Sequence, residues 1–353
     1  MNILLCSAGR RVELVKEFKK SIKGGKVVVT DVSATAPAIY VADKYYNAGL
    51  IYDKNYIDNL LEICRKEKID AVTTLIDPEI AILARNRDRF EMEGVLMLAP
   101  YPMTADLCFD KSKLIDYLSE KGLRTVKTWK SMEELRESFG ENIPFPIFVK
   151  PRTGSGSVGA RKIDCLEQLK REWKNDPDLI AQEYMGDAVD LDADVYVDAV
   201  SKKPVAIFSK KKLETKIGGA SKTVSFKDKE LVNIIESITS ELKFCGPIDM
   251  DFFYKEGKYY LSEINPRFGG AYIHAYECGV DFIELIENNA RGVENKYREQ
   301  GYEDGLVMMM YDSLVVKQIG TYEEILRGGY HLRSNILVYR NTVTARLEKR
   351  RAA

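Results

Sequence analysis

The sequence predicts a mixed architecture, in which an α/β domain with a parallel sheet precedes an α+β domain. Residues 1–105 alternate short apolar runs with amphipathic stretches, as parallel strands joined by helices do. Residues 106–290 instead contain neighbouring strand-like runs joined by short turns, which indicates antiparallel pairs. A chain of 353 residues with 45% hydrophobic content is long enough for two or three folding units. We therefore expect domains at 1–105 and 106–290 and a C-terminal extension at 291–353, in which we find no motif.

The elements of the first domain follow from this alternation. Three strands and three helices are predicted, in the order Asn2–Cys6, Val12–Ile22, Lys26–Thr30, Tyr56–Lys66, Ala71–Leu75 and a helix from Glu79. The strands are short continuous apolar runs, and the first helix carries its apolar residues on one broad face. This pattern predicts a Rossmann-like parallel sheet covered by helices on both faces.

The second domain begins with a helix and continues mainly with strands. The predicted elements are a helix at Lys111–Lys121, strands at Pro146–Lys150 and Ile180–Glu183, an antiparallel pair at Asp192–Val200 and Val205–Lys211, a helix at Lys229–Leu242, and a hairpin of Pro247–Tyr254 with Lys258–Ile264. Gly122 is placed to end the first helix, and Lys255-Glu256-Gly257 supplies the hairpin turn. Arg152–Gly159 is predicted to be a flexible loop.

Charge and cysteine content restrict the partners and the compartment. There are 53 basic and 54 acidic residues, so the chain lacks the basic excess that nucleic-acid or anionic-membrane binding usually needs. The six cysteines are scattered without a C-x-x-C pair, which favours buried free thiols in a reducing compartment. With only two histidines, a multi-histidine metal site is excluded. We find no signal-peptide pattern and no apolar run of membrane-spanning length, so a cytoplasmic protein is expected.

The predicted hairpin carries the strongest chemical signal. Side chains alternate faces along a strand, so Asp249 and Asp251 share one face, as do Glu263 and Asn265. Pairing through the turn can bring the two sets to the same side, where oxygen ligands without histidine or cysteine suit Mg²⁺. Arg267 follows two residues later and would supply the guanidinium that a transferring phosphoryl group needs. The alternative is an acidic sheet face exposed to water.

Two further segments carry weaker signals. Lys150 ends a predicted buried strand, and a loop rich in glycine and serine follows it, which suits close approach of backbone N–H groups to phosphate oxygens. It is not a Walker A loop, and a plain hairpin turn is the alternative. The strand Ile180–Met185 leads into a polar-apolar segment with Asp190, Asp192 and Asp194 after it, which suits a flat base and ribose hydroxyls. A plain edge strand is the alternative there.

Taken together, these segments resemble the ATP-grasp superfamily, in particular its carbamoyl-phosphate-synthase-like and amino-acid ligase branch. The resemblance covers roughly Asp106 to Asn289. Its motifs are the Asp110-Lys111 helix start, the strand ending at Lys150 with its glycine-rich loop, Gln182-Glu183-Tyr184-Met185, and the run from Glu263 to Gly270. The resemblance implies a two-lobed ATP-grasp domain, with a lid lobe at about 124–185, behind the family's usual N-terminal partner domain.

The resemblance also implies a role for each matching residue. Nucleotide binding is implied for Lys111, Lys150, the lid loop Gly154, Ser155, Gly156, Ser157, Val158 and Gly159, the base-binding run Gln182, Glu183, Tyr184 and Met185, and Asp190 at the ribose. Asp251, Glu263 and Asn265 would bind Mg²⁺ or Mn²⁺, although relatives commonly carry Gln or Glu where this chain has Asp251. Arg267 would steady an acyl phosphate, and Lys150 would act with it on the transferring phosphoryl group.

The activity implied is ATP-dependent ligation of a small-molecule carboxylate to an amine through an acyl phosphate, with a homodimer left open. Three alternatives are a carbamoyl-phosphate-type kinase without ligation, a non-catalytic ATP-binding regulator, and an NAD-type oxidoreductase using Gly9 and Asp31. The last lacks the three-glycine fingerprint. The intact run of Asp251, Glu263 and Arg267 argues against the regulator.

The substrate is predicted from two strand-to-helix turns of the first domain and the residues after the metal site. Arg10 and Arg11 lie at a turn that favours an anion, and Asp77-Pro78-Glu79 forms a later turn that could receive an ammonium group. With Arg267, Gly269 and Gly270 they suggest an amino acid, whereas helix capping is the alternative for the turn residues. The run Lys210-Lys211-Lys212 matches a variable substrate-facing region, with a solvated charge run as the alternative.

Overall fold

A computed structural model describes residues 1–154, 156, 158–216, 219–297 and 301–321. The described part of the chain divides into two compact units, Met1–Ile69 with residues 312–321, and Asp70–Tyr311. The predicted combination of a parallel α/β part and an antiparallel α+β part is confirmed. All six cysteines are free thiols, and four of them are buried. Among the described residues, no helix is long and apolar enough to cross a lipid bilayer.

The first unit is a parallel α/β layer in which strands β1 and β2, but not β3, are buried on both faces. Its elements are β1 (Ile3–Cys6), α1 (Val12–Ser21), β2 (Val27–Thr30), a 3-10 helix (Pro37–Tyr40), β3 (Lys44–Tyr46) and α2 (Tyr56–Glu67). The strands run parallel in the order β3-β2-β1. Every residue of β1 and β2 is buried, which explains why the sequence shows continuous apolar runs there. Strand β3 was not predicted, because its Lys-Tyr-Tyr sequence contains no apolar run.

The second unit starts with helices around a short parallel pair of strands. The elements are β4 (Ala71–Thr74), α3 (Asp77–Arg85), α4 (Arg87–Met92), β5 (Leu96–Met97), α5 (Pro102–Phe109) and α6 (Lys111–Glu120). The side chain of Asp110 accepts hydrogen bonds from the backbone N–H groups of Ser112 and Lys113 and thereby begins α6. Gly122 follows the last turn with a φ of +75°, as predicted for a helix end.

A small antiparallel sheet follows, within the span predicted for the lid lobe. It contains β6 (Thr128–Trp129), α7 (Met132–Phe139), β7 (Ile147–Pro151), β8 (Arg161–Ile163), α8 (Leu166–Asn175) and β9 (Leu179–Glu183), with strand order β6-β9-β7-β8. Its own core consists of Trp129, Leu135, Ile147, Val149, Ile163, Leu169 and Ala181. The predicted loop at 152–159 connects β7 to β8, and its described residues form neither helix nor strand.

The largest element is a six-stranded antiparallel sheet with one apolar and one polar face. It contains β10 (Val189–Val197), β11 (Pro204–Lys216), β12 (Gly219–Phe226), β13 (Gly246–Lys255), β14 (Lys258–Asn265) and β15 (Val307–Met309), in the order β14-β13-β10-β11-β12-β15. Helix α9 (Lys229–Glu241) and α6 bury the apolar face, while α10 (Tyr272–Glu277) and α11 (Phe282–Ala290) follow β14. The polar face carries most of the residues predicted to be functional.

Candidate active site

The β13–β14 hairpin is closed by a two-residue turn of the type that matches the twist of antiparallel strands. Lys255 pairs with Lys258 across Glu256 and Gly257, whose φ angles are +51° and +75°. Positive φ at both central positions is the mark of a type I′ turn. The predicted hairpin and its turn are therefore present.

A β-bulge in this hairpin decides which side chains face each other. Pairing is regular as far as Phe252 opposite Leu261, and then one residue of β14, Ser262, is skipped so that Asp251 lies opposite Glu263. Without the extra residue, Asp251 would lie opposite Ser262 and Glu263 would point to the other face of the sheet. The bulge thus places both carboxylates on the polar face.

Asp249 and Asn265 are the next opposed pair on the same face. The Nδ2 atom of Asn265 donates to the Oδ2 atom of Asp251 over 3.3 Å, so the three predicted metal ligands are neighbours. They comprise two carboxylates and one amide. In the described part of the chain, no group of three or more His, Cys, Asp and Glu side chains is arranged to hold a metal. A cation here would therefore depend on the amide oxygen or on a ligand from outside the protein.

Two lysines of β11, Lys210 and Lys212, lie on the same polar face of the sheet as these carboxylates. Lys210 is fully buried and pairs with both Asp192 and Asp194 of β10. The Nζ atom of Lys212 lies 2.5 Å from Asp251 Oδ1 and 3.0 Å from Asp190 Oδ1.

Lys211, between these two lysines, points away and is exposed. The reading of this lysine run as a solvated charge run is therefore wrong for Lys210 and Lys212. Burial would lower the pKa of Lys212, but Asp251, Asp192 and Asp190 raise it well above its usual value.

Lys111 and Lys150 approach the same carboxylates from α6 and β7. The Nζ atom of Lys111 donates to the carbonyl of Gly154 over 2.5 Å and lies 3.5 Å from Glu263 Oε2. The Nζ atom of Lys150 lies 3.5 Å from the Oγ atom of the bulged Ser262. Burial lowers the pKa of Lys150 to about 8, and nearby Lys111 contributes to that shift, while Glu263 opposes it. Both lysines thus lie next to the acidic hairpin, and their predicted contact with ATP phosphates stays a prediction.

The glycine-rich loop has the backbone conformations that only glycine adopts easily. Gly154, Gly156 and Gly159 have φ angles of +107°, +70° and +81°. Val158, between them, is exposed. The predicted positions Ser155 and Ser157 lie outside the described residues. The loop begins at Gly154, whose carbonyl accepts from Lys111, so its first residue belongs to the site.

The predicted base-binding run lies at the end of β9 in the small sheet. Gln182 is buried and its Nε2 atom donates to Thr128 Oγ1 over 2.8 Å. Glu183 lies 3.8 Å from the Nζ atom of Lys255, Tyr184 is half-buried and Met185 is buried. Nothing in these contacts tests a nucleotide-binding role, and that role stays a prediction, as it does for Asp190.

Arg267 is held by Asp77, which belongs to the turn predicted to receive an ammonium group. Its Nε and Nη2 atoms contact Asp77 Oδ1 and Oδ2 over 2.8 and 3.1 Å, a bidentate pair. Its Nη1 atom donates to the carbonyl of Phe268 over 3.0 Å and lies 3.5 Å from Asp249 Oδ2. Burial alone would lower the pKa of Arg267, but the carboxylates of Asp77 and Asp249 have the larger effect and raise it above its usual value. The guanidinium therefore stays charged. Asp77 was predicted, with Pro78 and Glu79, to lie at a turn that could receive an ammonium group, but nothing in the sequence indicated its pair with Arg267.

The glycines after Arg267 differ in their surroundings. A Cβ atom on Gly269 would lie 2.7 Å from Asp194 Oδ1 and 2.8 Å from Asp249 Oδ1, so only glycine fits against these carboxylates. A Cβ atom on Gly270 would meet nothing within 4 Å. Gly269 therefore has a packing reason to be glycine, and the predicted substrate role of both residues stays a prediction.

The other predicted substrate residues have contacts or positions of their own, and their substrate role stays a prediction. Glu79 is fully buried, and its Oε2 atom accepts from Thr74 Oγ1 over 2.6 Å. In the first unit, Arg10 is exposed and Arg11 directly precedes α1. Asp31, the ribose ligand of the oxidoreductase alternative, accepts from the backbone N–H groups of Gly9 and Ser33, both over 2.8 Å.

A small cavity opens beside the acidic hairpin within the second unit. Its polar wall consists of Asp77, Lys111, Glu263 and Asn265. Its apolar wall includes Ile80, Phe109 and Pro266, and Gly154 lies at its edge. The cavity is therefore lined by two of the three predicted metal ligands, Glu263 and Asn265, together with Lys111 and the Arg267 partner Asp77.

Two family models match this chain, and several characterised proteins are similar to it. Residues 3–98 match a PylC-like N-terminal domain, and residues 108–271 match an ATP-grasp domain. The formate-dependent phosphoribosylglycinamide formyltransferase of Bacteroides fragilis is 28% identical over 288 residues, 75% of this chain and 70% of that protein. The carbamoyl phosphate synthase large chain of Sulfurisphaera tokodaii is 24% identical over 62% of this chain, which spans 22% of that protein.

Solved structures with the same fold cover most of the chain. The biotin carboxylase domain of the Hydrogenobacter thermophilus 2-oxoglutarate carboxylase, in complex with MgADP and bicarbonate, has a TM-score of 0.69 at 17% identity, over 86% of this chain and 73% of that one. The L-amino acid ligase of Bacillus licheniformis has a TM-score of 0.64 at 15% identity, over 86% and 77%. At these identities the likeness concerns the fold.

Proposed function

We propose that this chain, which belongs to the ATP-grasp superfamily, is an ATP-dependent ligase that joins a small-molecule carboxylate to an amine through an acyl phosphate. The family predicted from the sequence motifs is confirmed by the ATP-grasp match over residues 108–271. The observation that most supports the proposed reaction is the opposition of Asp251 and Glu263 across the bulged hairpin, with Lys111 3.5 Å from Glu263. Acidic and basic groups close together are what a cation and a polyphosphate require.

The oxygen donors of the hairpin fit Mg²⁺ or Mn²⁺. Asp251, Glu263 and Asn265 would hold it, and their oxygen-only chemistry is the kind that Mg²⁺ prefers. The Nζ atom of Lys212 lies 2.5 Å from Asp251, and that of Lys111 lies 3.5 Å from Glu263, so each lysine balances one carboxylate. With the cation bound, both lysines would be free to turn toward phosphate oxygens. When bound, the cation would neutralise charge on the phosphate groups of ATP.

The proposed reaction has two steps, phosphorylation of the carboxylate and attack by the amine, and different side chains of the site would act in each. Lys111, Lys150 and the loop from Gly154 would bind the phosphates and hold them in line with the substrate. A carboxylate oxygen of the substrate then attacks the γ-phosphorus and ADP leaves. The amine attacks the acyl carbon next, phosphate leaves, and Arg267 balances negative charge on the departing group. Closure of the lid loop would exclude the water that otherwise hydrolyses the acyl phosphate.

The remaining assignments of substrate and setting are part of the proposal. An amino acid or similar small molecule is the proposed carboxylate, and Gln182, Glu183, Tyr184, Met185 and Asp190 are the proposed nucleoside contacts. Neither a nucleic acid nor a membrane is a proposed partner, because the formal net charge is −1. A cytoplasmic location and a homodimer are proposed as the simplest setting.

An ADP-release assay tests the reaction class. We expect ADP formation from ATP and Mg²⁺ to need both a carboxylate and an amine, because the acyl phosphate must be consumed before the next turnover. Candidate amino acids are supplied singly and in pairs, and hydroxylamine is added in parallel to trap an acyl phosphate as its hydroxamate. ADP formation with a single substrate, without a C–N product, would instead identify a kinase. No turnover and no hydroxamate with any pair, in protein that binds ATP, would favour a non-catalytic regulator.

The affinity for ATP is expected to fall as the pH rises through about 8. Burial lowers the pKa of Lys150 to about 8, and only the protonated ammonium attracts phosphate. Mg²⁺ is kept saturating so that the terminal phosphate stays deprotonated over this range, and the remaining change belongs to the protein. We expect the affinity for a nonhydrolysable ATP analogue, measured by calorimetry, to decrease about tenfold between pH 7 and pH 9.

The control for this pH dependence is Lys150→Met, which should bind the analogue more weakly and with little change over the same range. An equal slope in both proteins would show that another group is responsible.

A further inference from the structure

The Asp77–Arg267 pair is an unusual feature of a site proposed to bind anions. Asp77 is the first residue of α3, and Arg267 follows β14, 190 positions later. Both side chains are 14% exposed, and both carboxylate oxygens of Asp77 contact the guanidinium. The edge of Arg267 that best fits a substrate carboxylate is therefore already taken by a carboxylate of the protein.

The other contacts of Arg267 leave little capacity for an additional anion. Its Nη1 atom donates to the carbonyl of Phe268 over 3.0 Å and lies 3.5 Å from Asp249 Oδ2. A substrate anion that binds bidentately must therefore displace Asp77. Displacement leaves the Asp77 carboxylate without its cation in a largely buried place, and an unpaired buried charge is costly.

The charged groups of the incoming molecule decide whether Asp77 and Arg267 both regain a partner of opposite charge. A simple carboxylate would occupy Arg267 but leave Asp77 unpaired. A simple amine would neutralise Asp77 but leave Arg267 unpaired. A molecule that carries a carboxylate and an ammonium group close together replaces each partner by one of the same charge, so that every buried charge stays paired.

The space next to the pair suits such an exchange. Asp77 lines the same cavity as Lys111, Glu263 and Asn265, with Ile80, Phe109 and Pro266 as apolar neighbours. Asp77 and two predicted metal ligands, Glu263 and Asn265, therefore face one space. A ligand group that replaces Arg267 beside Asp77 would lie close to these ligands and to the apolar wall.

We propose that Asp77 is a specificity-determining residue, whose ion pair with Arg267 must be exchanged for the ammonium and carboxylate groups of an α-amino acid. This inference rests on the proposed ligase function and narrows its carboxylate substrate to a zwitterion. Asp77 thereby excludes carboxylates that lack a neighbouring ammonium group.

The test compares Asp77→Asn with the wild-type chain and with Asp106→Asn. Asp106 pairs with Arg85 at the surface, with a side chain 51% exposed, and is a matched control for removing an Asp–Arg pair in the same unit. Calorimetry is performed with Mg²⁺ and a nonhydrolysable ATP analogue present. The probes are the proteinogenic amino acids, each beside the carboxylic acid that lacks only its amino group, such as alanine beside propionate.

We expect the wild-type chain to bind at least one amino acid about tenfold more tightly than its des-amino partner. In Asp77→Asn this ratio should fall to about one, because the amino acid loses its ammonium partner and the des-amino acid no longer displaces an ionised group. Asp106→Asn should keep the wild-type ratio.

Three results would overturn the inference. An unchanged ratio in Asp77→Asn, or equal weakening of both probes, would show that Asp77 only positions Arg267. Failure of every amino acid to bind to the wild-type chain would exclude the zwitterion class. ADP formation with a des-amino carboxylate and an amine would also overturn it while leaving the ligase proposal intact, whereas loss of ATP-analogue binding would count against the ligase proposal itself.

Discussion

Replacement of Glu263 by glutamine is expected to abolish measurable ADP formation, a loss of at least about a thousandfold in kcat. Glu263 lies directly opposite Asp251 and is one of two carboxylates in the predicted metal set. Glutamine keeps the shape of the side chain but removes the negative charge that a divalent cation needs. Steady-state ADP release, with the ATP and Mg²⁺ concentrations varied, measures the loss.

Glu256→Gln is the matched control for this variant. Glu256 lies in the turn of the same hairpin and is exposed, so the identical substitution there should leave turnover unchanged. Circular dichroism and thermal unfolding should show that both variants fold like the wild-type chain. Wild-type turnover by Glu263→Gln would remove Glu263 from the metal site and, with it, the main support for the proposed reaction.

Replacement of Lys210 by methionine is expected to destabilise the second unit by about 3–5 kcal/mol. Lys210 is fully buried between Asp192 and Asp194, which are themselves buried. Methionine fills a similar volume but leaves two carboxylates without their cation. Thermal unfolding should show Tm lowered by roughly 10 °C.

Two variants test the cause of this loss. Lys211→Met changes the exposed neighbour on the opposite face and should cost less than about 1 kcal/mol. Adding Asp194→Asn to Lys210→Met removes one uncompensated charge and should restore part of the lost stability. Equal Tm values for the Lys210 and Lys211 variants would show that the buried pair contributes nothing to folding.

The lysine run also shows where sequence reasoning stops. A run of three lysines has the composition of a solvated surface, and nothing local separates the buried Lys210 from the exposed Lys211. Their difference arises because Lys210 faces Asp192 on the neighbouring strand, in a register that only the folded sheet defines. The acidic hairpin was predictable in part, because alternation and a Glu-Gly turn are local features, whereas the bulge that brings Glu263 opposite Asp251 was not predicted.

Contacts between distant parts of the chain were equally out of reach. Asp77 and Arg267 are 190 positions apart, and a salt bridge of that separation has no periodicity to reveal it. Helices α7 and α8 were missed because they are short and mostly exposed, with one buried residue each. Strand β12 was missed because its Gly-Ala-Ser-Lys start lacks an apolar run.

Strand β14 contributes side chains to both the core and the site, and its bulge reverses whether the odd-numbered or the even-numbered residues face the core. Before the bulge its odd-numbered residues Tyr259 and Leu261 belong to the core, and after it the even-numbered Ile264 does, which frees Glu263 for the site. Moving the extra residue into the turn would preserve the opposition of Asp251 and Glu263 but would turn Tyr259 and Leu261 outward. Two residues inserted together near this hairpin would therefore keep every side chain of β14 on its present face. A single residue added to or lost from β14 would move the side chains of half the strand to the opposite face, so that site residues would enter the core or core residues the site.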